Sequence, residues 1–514
     1  MLTRDTLPSL LEGKAREQGD RPFVTSLEEG RTYTYAELNA RANQAAHLLR
    51  SVSASPGKPV SILLPNGMPF LIAYFGAMKA GSIAGTVNPD LKAPEIAYIV
   101  GDSESSIVVT DAEGAAKIEE VRGQLPRLQR VVRFDEDLER ALNRHPTSTP
   151  RVGILPTDPC EILYTSGTTG HPKGALITHA NFLAAAECFG SELGFDASLR
   201  ILCFLPLFHT EAQFVSVINA VRVGGSVVVA RKFSSHRFWS WVADERVSVV
   251  SAVPTVFSIM LDMPRDESRD YSSLRLMVSS AASLPVEVLR AWQARFRVPI
   301  VEGYGLTESA CYATLNPRGY GKAGSVGVPL ACTQLRVVDD HGHAVPPREA
   351  GEIVLRGWNV FPGYWRNPEA TRDAFKGGWF HTGDVGYVDE DGYVFIVDRK
   401  KDMINRGGQK IYPREVDEVL FAHPHVRNAA AFGAPHPLLG EEVAAFVELR
   451  DGTDVPPESI IAFCRERLAD YKVPKEVLFI DAIPKGPSGK NLRRKLREEY
   501  LRRKGPSGPA AGPS

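Results

Sequence analysis

Tyr164 to Gly174 read YTSGTTGHPKG. Small residues, hydroxyls and one lysine are crowded into a single short stretch. Glycines let backbone N–H groups approach an anion closely, the Ser and Thr hydroxyls add donors, and Lys173 adds a charge on a flexible stem. Upstream, Glu161–Tyr164 has the composition of a strand end. Downstream, Thr178 is a candidate N-cap for a helix running to about Leu193. The loop is therefore expected to join a strand to a helix. The P-loop pattern GxxxxGK[ST] does not fit, because Pro172 precedes Lys173 and Gly174 follows where a magnesium-binding hydroxyl is required. On this stretch alone, a phosphate cradle and a solvated glycine-rich linker both stay open.

The whole chain has 514 residues, 43% hydrophobic and 24% charged, with a formal net charge of -1. At about 150 residues per domain, this suggests roughly three compact units or one large and one small. A near-neutral balance gives no general attraction to nucleic acid or to anionic membrane, so any bound anion must be held by local charge. The six cysteines include no CxxC pair. This argues against a zinc site or a disulfide framework and for buried thiols in a reducing cytoplasm. The N-terminal stretch mixes acids and bases and lacks a signal-peptide core, and no run reaches about 18 apolar residues. No membrane span is expected.

Residues 6–18 suit a short amphipathic helix ended near Gly19. Onward to about residue 260, short β-rich runs such as PVSILLP (59–65), SSIVVTD (105–111) and SVVVA (226–230) alternate with helical segments such as AELNARANQAAHLLR and FLIAYFGAMKAG. Continuous apolar strands alternating with helices predict α/β lobes built on parallel sheets covered on both faces. A second β-rich region near 323–397 predicts short antiparallel strands, a small barrel or a distorted sheet. The charged run DRKKDMINRGG (398–408) reads as a hinge, followed by a compact α/β unit and a Gly/Pro/Ser-rich tail expected to be disordered.

The full string S-G-T-T-G-x-P-K-G resembles the signature of the adenylate-forming superfamily, which includes acyl-CoA synthetases, peptide-synthetase adenylation domains and luciferases. Further motifs of that superfamily recur in order: GYGLTES (303–309), TGD (382–384), DRKKDMINRGGQKIYP (398–413) and PSGKNLRRKL (487–496). The resemblance covers nearly the whole chain. It implies a large N-terminal adenylation domain (1–398), a small mobile C-terminal domain (399–503) and a tail (504–514). It also implies ATP, Mg²⁺ and CoA as the small molecules handled, and a carboxylic acid as substrate.

Carried onto this sequence, the resemblance implies that Thr165, Ser166, Gly167, Thr168, Thr169 and Lys173 form the loop over the β- and γ-phosphates. Tyr304, flanked by Gly303 and Gly305, would lie against adenine. Thr307 would donate to the α-phosphate, and Glu308 would hold Mg²⁺. Ser280, Ala281 and Ala282 would contact the nucleotide, although Ser279 and Ser280 stand where relatives often have glycine. Asp384 and Arg399 would reach the ribose. Lys490 would bridge the attacking carboxylate and the α-phosphate. Lys401 would be the hinge about which the small domain rotates, bringing Gly407, Gly408 and Gln409 to the pantetheine tunnel. His209, in P-L-F-H, would gate the acyl pocket. Read without the motifs, each has a plainer role: surface acid, core histidine, turn glycine or solvated cation.

The acyl pocket is expected to follow strand ILCFLP, in LFHTEAQFVSV, with Ala252, Val253, Ser280, Gly303 and Ala310 as further candidates to shape it. Amino-acid-activating relatives carry an Asp near His209, so an α-amino acid is disfavoured here, with Glu211 keeping it open. CoA is the expected acceptor, a carrier protein or an amine the alternative. A homodimer stays open.

Overall fold

The computed structural model describes residues 5–135, 138–165, 172–399, 402–485 and 491–504. Ser166, Gly167, Thr168, Thr169, Lys401 and Lys490 lie outside the described residues. Among those described, sheets of seven and nine strands carry the first part of the chain, and two five-stranded sheets follow.

The seven-stranded sheet runs Gly363–Tyr364, Lys173–Thr178, Pro159–Thr165, Ile83–Thr86, Pro59–Leu63, Ile107–Thr110, Arg130–Arg133. From Pro159–Thr165 onward its neighbours are parallel. Strands Pro59–Leu63, Ile83–Thr86 and Ile107–Thr110 are buried at every position, as expected of a sheet covered on both faces. Helix Met68–Lys79 is buried from Phe70 onward, which suits an apolar helix lodged in the core. It packs so closely on helix Tyr35–Ser51 that a Cβ on Gly76 would stand 2.7 Å from Ala45 Cβ.

The nine-stranded sheet runs Val328–Pro329, Thr314–Leu315, Ile300–Tyr304, Leu276–Ser279, Val249–Ala252, Arg200–Cys203, Ser226–Val229, Pro22–Ser26, Arg31–Thr34. The six strands from Ile300–Tyr304 to Pro22–Ser26 are parallel. One hydrophobic core joins the two large sheets through helices including Tyr35–Ser51, Met68–Lys79 and His179–Glu192.

The expected strand-to-helix loop is corrected. Pro159–Thr165 pairs antiparallel with Lys173–Thr178, with Thr165 opposite Lys173, so the quoted stretch closes a hairpin. The helix begins one strand later, at His179. Thr178 caps it by accepting from Asn181 N at 3.1 Å. The run A-L-I-T before that cap is the signal for the extra strand.

The region near 323–397 is a five-stranded antiparallel sheet of Thr333–Val338, Gly351–Gly357, Phe375–Lys376, Trp379–Val388 and Val394–Arg399, with register shifts after Glu352 and Val385. From Ile404 to Lys504 a second unit pairs Ile404–Arg406, Gln409–Ile411, Val426–His436, Gly440–Leu449 and Glu476–Phe479 under helices Pro413–Phe421, Pro457–Arg465 and Arg493–Lys504. It has hydrophobic clusters of its own. Arg493 Nη2 donates to Asp417 Oδ2 at 2.6 Å, tying the last helix to the first. Lys504, assigned to the tail from sequence, is the final residue of that helix.

The six cysteines are free thiols, with Cys160, Cys203 and Cys464 buried and the others half-buried. Among the described residues, no helix is long and apolar enough to cross a membrane.

Candidate active site

Parallel strands end where ligands bind in doubly wound folds, outside the carboxyl edge of the sheet. Strands Arg200–Cys203, Val249–Ala252, Leu276–Ser279 and Ile300–Tyr304 end side by side. The candidate residues His209, Ala252, Val253, Ser280, Ala281, Ala282, Gly303, Tyr304, Gly305 and Thr307 all stand at or just beyond those ends.

Tyr304 closes its strand and donates its hydroxyl to Asp384 Oδ2 at 2.7 Å. Asp384 lies within strand Trp379–Val388 and is only 5% exposed, so it is not the turn acid its Gly383 neighbour suggests. Its other oxygen is 3.3 Å from Arg399 Nε, and the two residues face each other across paired strands. Burial raises the Tyr304 phenol well above its ordinary pKa, with the Asp384 charge adding to it, so Tyr304 is a firm donor at neutral pH. GYGLTES, TGD and the start of DRKKD thus converge on one buried carboxylate.

The turn beyond Tyr304 depends on glycine. A Cβ on Gly305 would stand 2.0 Å from Cys311 O and 2.6 Å from Tyr312 Cα. Ala310 and Cys311 both take positive φ, at 50° and 91°, to bring the backbone back under it. Thr307 opens a 3₁₀ turn and is half-exposed, whereas Glu308 is 8% exposed. Glu308 accepts from Tyr364 OH at 3.0 Å. Desolvation pushes its carboxyl above the usual range. Lys173 Nζ lies 5.5 Å from the centroid of the Tyr364 ring. Tyr364 therefore links the lysine of the hairpin to the acid of GYGLTES. No sequence signal singled it out.

Thr165 is half-buried at the hairpin's base, directly opposite Lys173. A cleft of about 180 Å³ opens beside Lys173 and Gly174. A larger cavity, about 400 Å³ beside Cys188 and Ala331, is lined by none of the predicted residues. At the adjoining strand end, Ala281 takes φ 67° and Ala282 N donates to Ser280 O at 2.8 Å. Alanine here holds a left-handed turn that glycine would adopt without strain.

His209 is half-buried with its ring 4.5 Å from that of Phe208. Two residues on, Glu211 accepts a hydrogen bond from Ser251 Oγ, and burial pushes its carboxyl up to about 7. Ser251 and Tyr312, both at this edge, escaped the sequence reading although they lie within two residues of the candidates Ala252 and Ala310. A second buried acid, Glu161, accepts from Gln213 Nε2 at 2.7 Å, Tyr74 OH at 3.0 Å and Thr86 Oγ1 at 3.1 Å. Desolvation raises it to about 8.

Gly407 and Gly408 form the turn between strands Ile404–Arg406 and Gln409–Ile411, with φ 56° and 92°. They are far along the chain from Tyr304. Gly408 faces open space. Lys485 Nζ donates to Thr255 Oγ1 at 2.9 Å across to the large unit. Arg414 N likewise donates to Asp398 Oδ2 at 2.9 Å. Among the described residues, no three His, Cys, Asp or Glu side chains converge as a metal site.

Comparison with known proteins extends the motif reading. Residues 11–365 match the AMP-binding enzyme family and residues 415–490 the AMP-binding enzyme C-terminal domain. The chain is similar to a long-chain-fatty-acid–CoA ligase of Mycobacterium tuberculosis (36% identical, covering 91% of this chain and 93% of that one). It is also similar to a feruloyl-CoA synthase of Amycolatopsis sp (38%, covering 93% and 96%). Among solved structures, the anthranilate CoA ligase AuaEII in complex with anthranoyl-AMP superposes with a TM-score of 0.91 at 30% identity, covering 96% of this chain and 97% of that one. ATP-bound MatB from Rhodopseudomonas palustris gives 0.88 at 31%, covering 96% and 99%. The chain belongs to the AMP-binding enzyme family, the adenylate-forming class. Within it, the chain is an AMP-forming acyl-CoA ligase, the activity of relatives that align with more than nine-tenths of its length.

Proposed function

We propose that the cleft bounded by Tyr304, Thr307, Glu308, Asp384 and Arg399 holds ATP beside a carboxylic acid, and that the acid is activated there as an acyl-adenylate before transfer to CoA. The observation that carries this reading is the contact between Tyr304, Asp384 and Arg399, which joins residues from three separated motifs.

A carboxylate is a poor electrophile. When one of its oxygens attacks the α-phosphorus of ATP, pyrophosphate leaves and the carbonyl gains a good leaving group, AMP. The CoA thiolate then displaces AMP. Both steps crowd negative charge, and one cation at 4 Å is worth roughly 4 kcal/mol at an effective dielectric of about 20. Positioned cations and donors are therefore the apparatus required.

Asp384, desolvated and oriented by Tyr304 and Arg399, suits acceptance from the ribose hydroxyls, and the Tyr304 ring suits a wall for adenine. Ser280, Ala281 and Ala282, with Gly303 and Gly305, bring backbone close to the base. Thr307 is the donor to the α-phosphate. Thr165, Ser166, Gly167, Thr168, Thr169 and Lys173 cover the outer phosphates. The donor set fits Mg²⁺: Glu308 is a single desolvated carboxylate close to the lysine that would meet phosphate, and Mg²⁺ at such sites takes one or two carboxylates plus phosphate oxygens. Bound there, it would neutralise phosphate charge as pyrophosphate departs.

Lys490 supplies the cation between carboxylate and α-phosphate, from a small domain (399–503) that turns about Lys401 on the body (1–398). The separate cores of the two units support this division. Rotation would bring Gly407, Gly408 and Gln409 to the CoA channel, and open space at Gly408 suits a narrow passage. His209 gates the acyl pocket. The cytoplasm, with its ATP and CoA, is the compartment this chemistry fits.

The test is ATP–pyrophosphate exchange across a panel of carboxylic acids, followed by mass analysis of the product with CoA, a carrier protein or an amine. Exchange dependent on acid, with a CoA thioester as product, is expected. No exchange with any acid would sink the reading.

A further inference from the structure

Beside the nucleotide cleft, the polar atoms Glu211 Oε2, Ser280 Oγ and Tyr312 OH are buried and make no hydrogen bond of ordinary geometry. Their residues other than Glu211 are each at most 5% exposed. Buried polar groups in folded chains almost always find a partner. Three under-satisfied ones in one neighbourhood describe a place that a ligand's polar group can complete.

They are gathered by the strand ends. Ser251, in strand Val249–Ala252, donates to Glu211 Oε1. Ser280 lies near enough to lower the pKa of both Glu211 and Tyr312, yet its hydroxyl completes no hydrogen bond of ordinary geometry. The Tyr312 ring is fixed against Phe189, with centroids 4.6 Å apart, so its hydroxyl is held in place. Glu211 itself is half-exposed although Oε2 is not, so the residue borders a space rather than filling one. The half-exposed Ala281, Ala282 and Tyr304 stand at the same sheet edge.

An unsubstituted hydrocarbon acyl group entering that space would dry these atoms without partnering them. A group that donates to Glu211 and accepts from the hydroxyls would satisfy them. Sites built to hydrogen-bond a substrate group discriminate strongly against analogues lacking it, because their own polar atoms are then left bare.

We propose that Glu211, supported by Ser251, Ser280 and Tyr312, determines acid specificity, and that the preferred acid carries a hydrogen-bond donor, a hydroxyl or an amine, at the end away from its carboxylate. This rests on the acyl-CoA ligase reading of the same cleft.

The experiment measures kcat/KM for acid-dependent pyrophosphate release by the full chain in two matched series. One compares ω-hydroxyhexanoate and ω-aminohexanoate with heptanoate. The other compares para-hydroxybenzoate and para-aminobenzoate with para-methylbenzoate. In at least one series the donor-bearing acid is expected to exceed its methyl partner by about tenfold or more. Glu211→Leu should bring that ratio close to one, and Ser280→Ala should reduce it, with melting temperatures confirming folded protein. Glu211→Gln keeps an acceptor but no charge. Loss of preference for the amine alone would identify an ammonium, and retained preference for the hydroxyl would identify an alcohol. Wild-type protein that uses the methyl acids as well as the others in both series overturns the proposal, since it needs no variant to fold. Absence of pyrophosphate release with every acid strikes the ligase reading instead. In that case, N-acylsulfamoyl adenosines bearing the same paired acyl groups would be compared by calorimetry, and equal affinities for hydroxyl and methyl forms would overturn the proposal independently of turnover.

Discussion

Tyr304 and Asp384 are eighty positions apart in sequence, yet the phenol of one donates to the carboxylate of the other at 2.7 Å. The bond runs from the end of a parallel strand to the middle of an antiparallel one, so it fixes two sheets relative to each other at the proposed nucleotide cleft. With one oxygen held by Tyr304 and the other beside Arg399, Asp384 is oriented before any ligand arrives. Asp384→Asn is expected to raise the KM for ATP by about 10- to 100-fold, since a charge-assisted acceptor is worth roughly 1.5–3 kcal/mol. Tyr304→Phe keeps the ring and loses the bond, so its effect should be several-fold smaller. Because the residues touch, the double variant should cost less than the sum of the two. Steady-state pyrophosphate release at varied ATP measures all three, and strict additivity would show that the contact does not orient the acid.

Gly305→Ala tests the tight return of the chain beneath the cleft. The added methyl would meet Cys311 O at 2.0 Å and Tyr312 Cα at 2.6 Å, both backbone atoms that cannot swing aside. Overpacking of this kind costs about 1–3 kcal/mol. The melting temperature should fall by a few degrees and nucleotide affinity should fall with it. Gly153→Ala, whose new methyl meets nothing within 4 Å and whose φ, like that of Gly305, is not positive, is the paired control. A Gly305→Ala protein no less stable than that control would refute the crowding argument.

Lys79 is the final residue of a buried helix, and its ammonium makes no hydrogen bond. Burial depresses its pKa to about 8, opposed in part by the charge of Glu12. The folded state therefore releases this proton at lower pH than the unfolded state, whose lysine titrates near 10.5. Between those values the unfolded chain binds more protons, so stability should rise with pH across that window and be lowest, on this account, below about 8. At about 1.4 kcal/mol per pH unit, the charged form carries a penalty on the order of 3 kcal/mol at neutral pH. Lys79→Met keeps the stem's volume and removes the charge. Its thermal midpoint at pH 7 should exceed that of the parent, and the gap should close as pH approaches 10. A variant that melts earlier at pH 7 would mean that the ammonium is satisfied after all.

Much of this was legible in the chain because parallel sheets advertise themselves. The runs at 59–65, 105–111 and 226–230 are apolar without alternation, and each became a buried strand. The motif residues Tyr304, Glu308 and Asp384 could be singled out because their glycine-flanked strings are specific, and the structure brings Tyr304 and Asp384 into contact. Less legible was anything made by tertiary contact. The strand Lys173–Thr178 is short and runs directly into a helix cap, so propensity assigned the cap and overlooked the strand. Tyr364 and Ser251 take their roles from partners 56 and 40 residues away, and no local pattern encodes that. The bond from Lys485 to Thr255 crosses between units and 230 positions of sequence, so no local pattern could have announced it.

The last prediction concerns the two half-reactions. Lys490 falls within the stretch matched to the C-terminal domain, whereas Tyr304 and Asp384 belong to the large unit, so on the proposed mechanism a lysine that serves adenylation must withdraw before a thiol can enter the same space. Lys490→Ala should lower ATP–pyrophosphate exchange by at least about a thousandfold, in keeping with the loss of one positioned charge worth roughly 4 kcal/mol. It should leave thioester formation from a supplied acyl-adenylate within a few-fold of the parent. Gly408→Trp should do the reverse. A large side chain at φ 92° on an otherwise open turn would obstruct the thiol's path while leaving the nucleotide cleft untouched. Single-turnover assays of each half-reaction, with circular dichroism to establish folding, decide the matter. Equal loss of both half-reactions in both folded variants would mean that one fixed arrangement serves both chemistries, and the division at Lys401 would then have no mechanistic part.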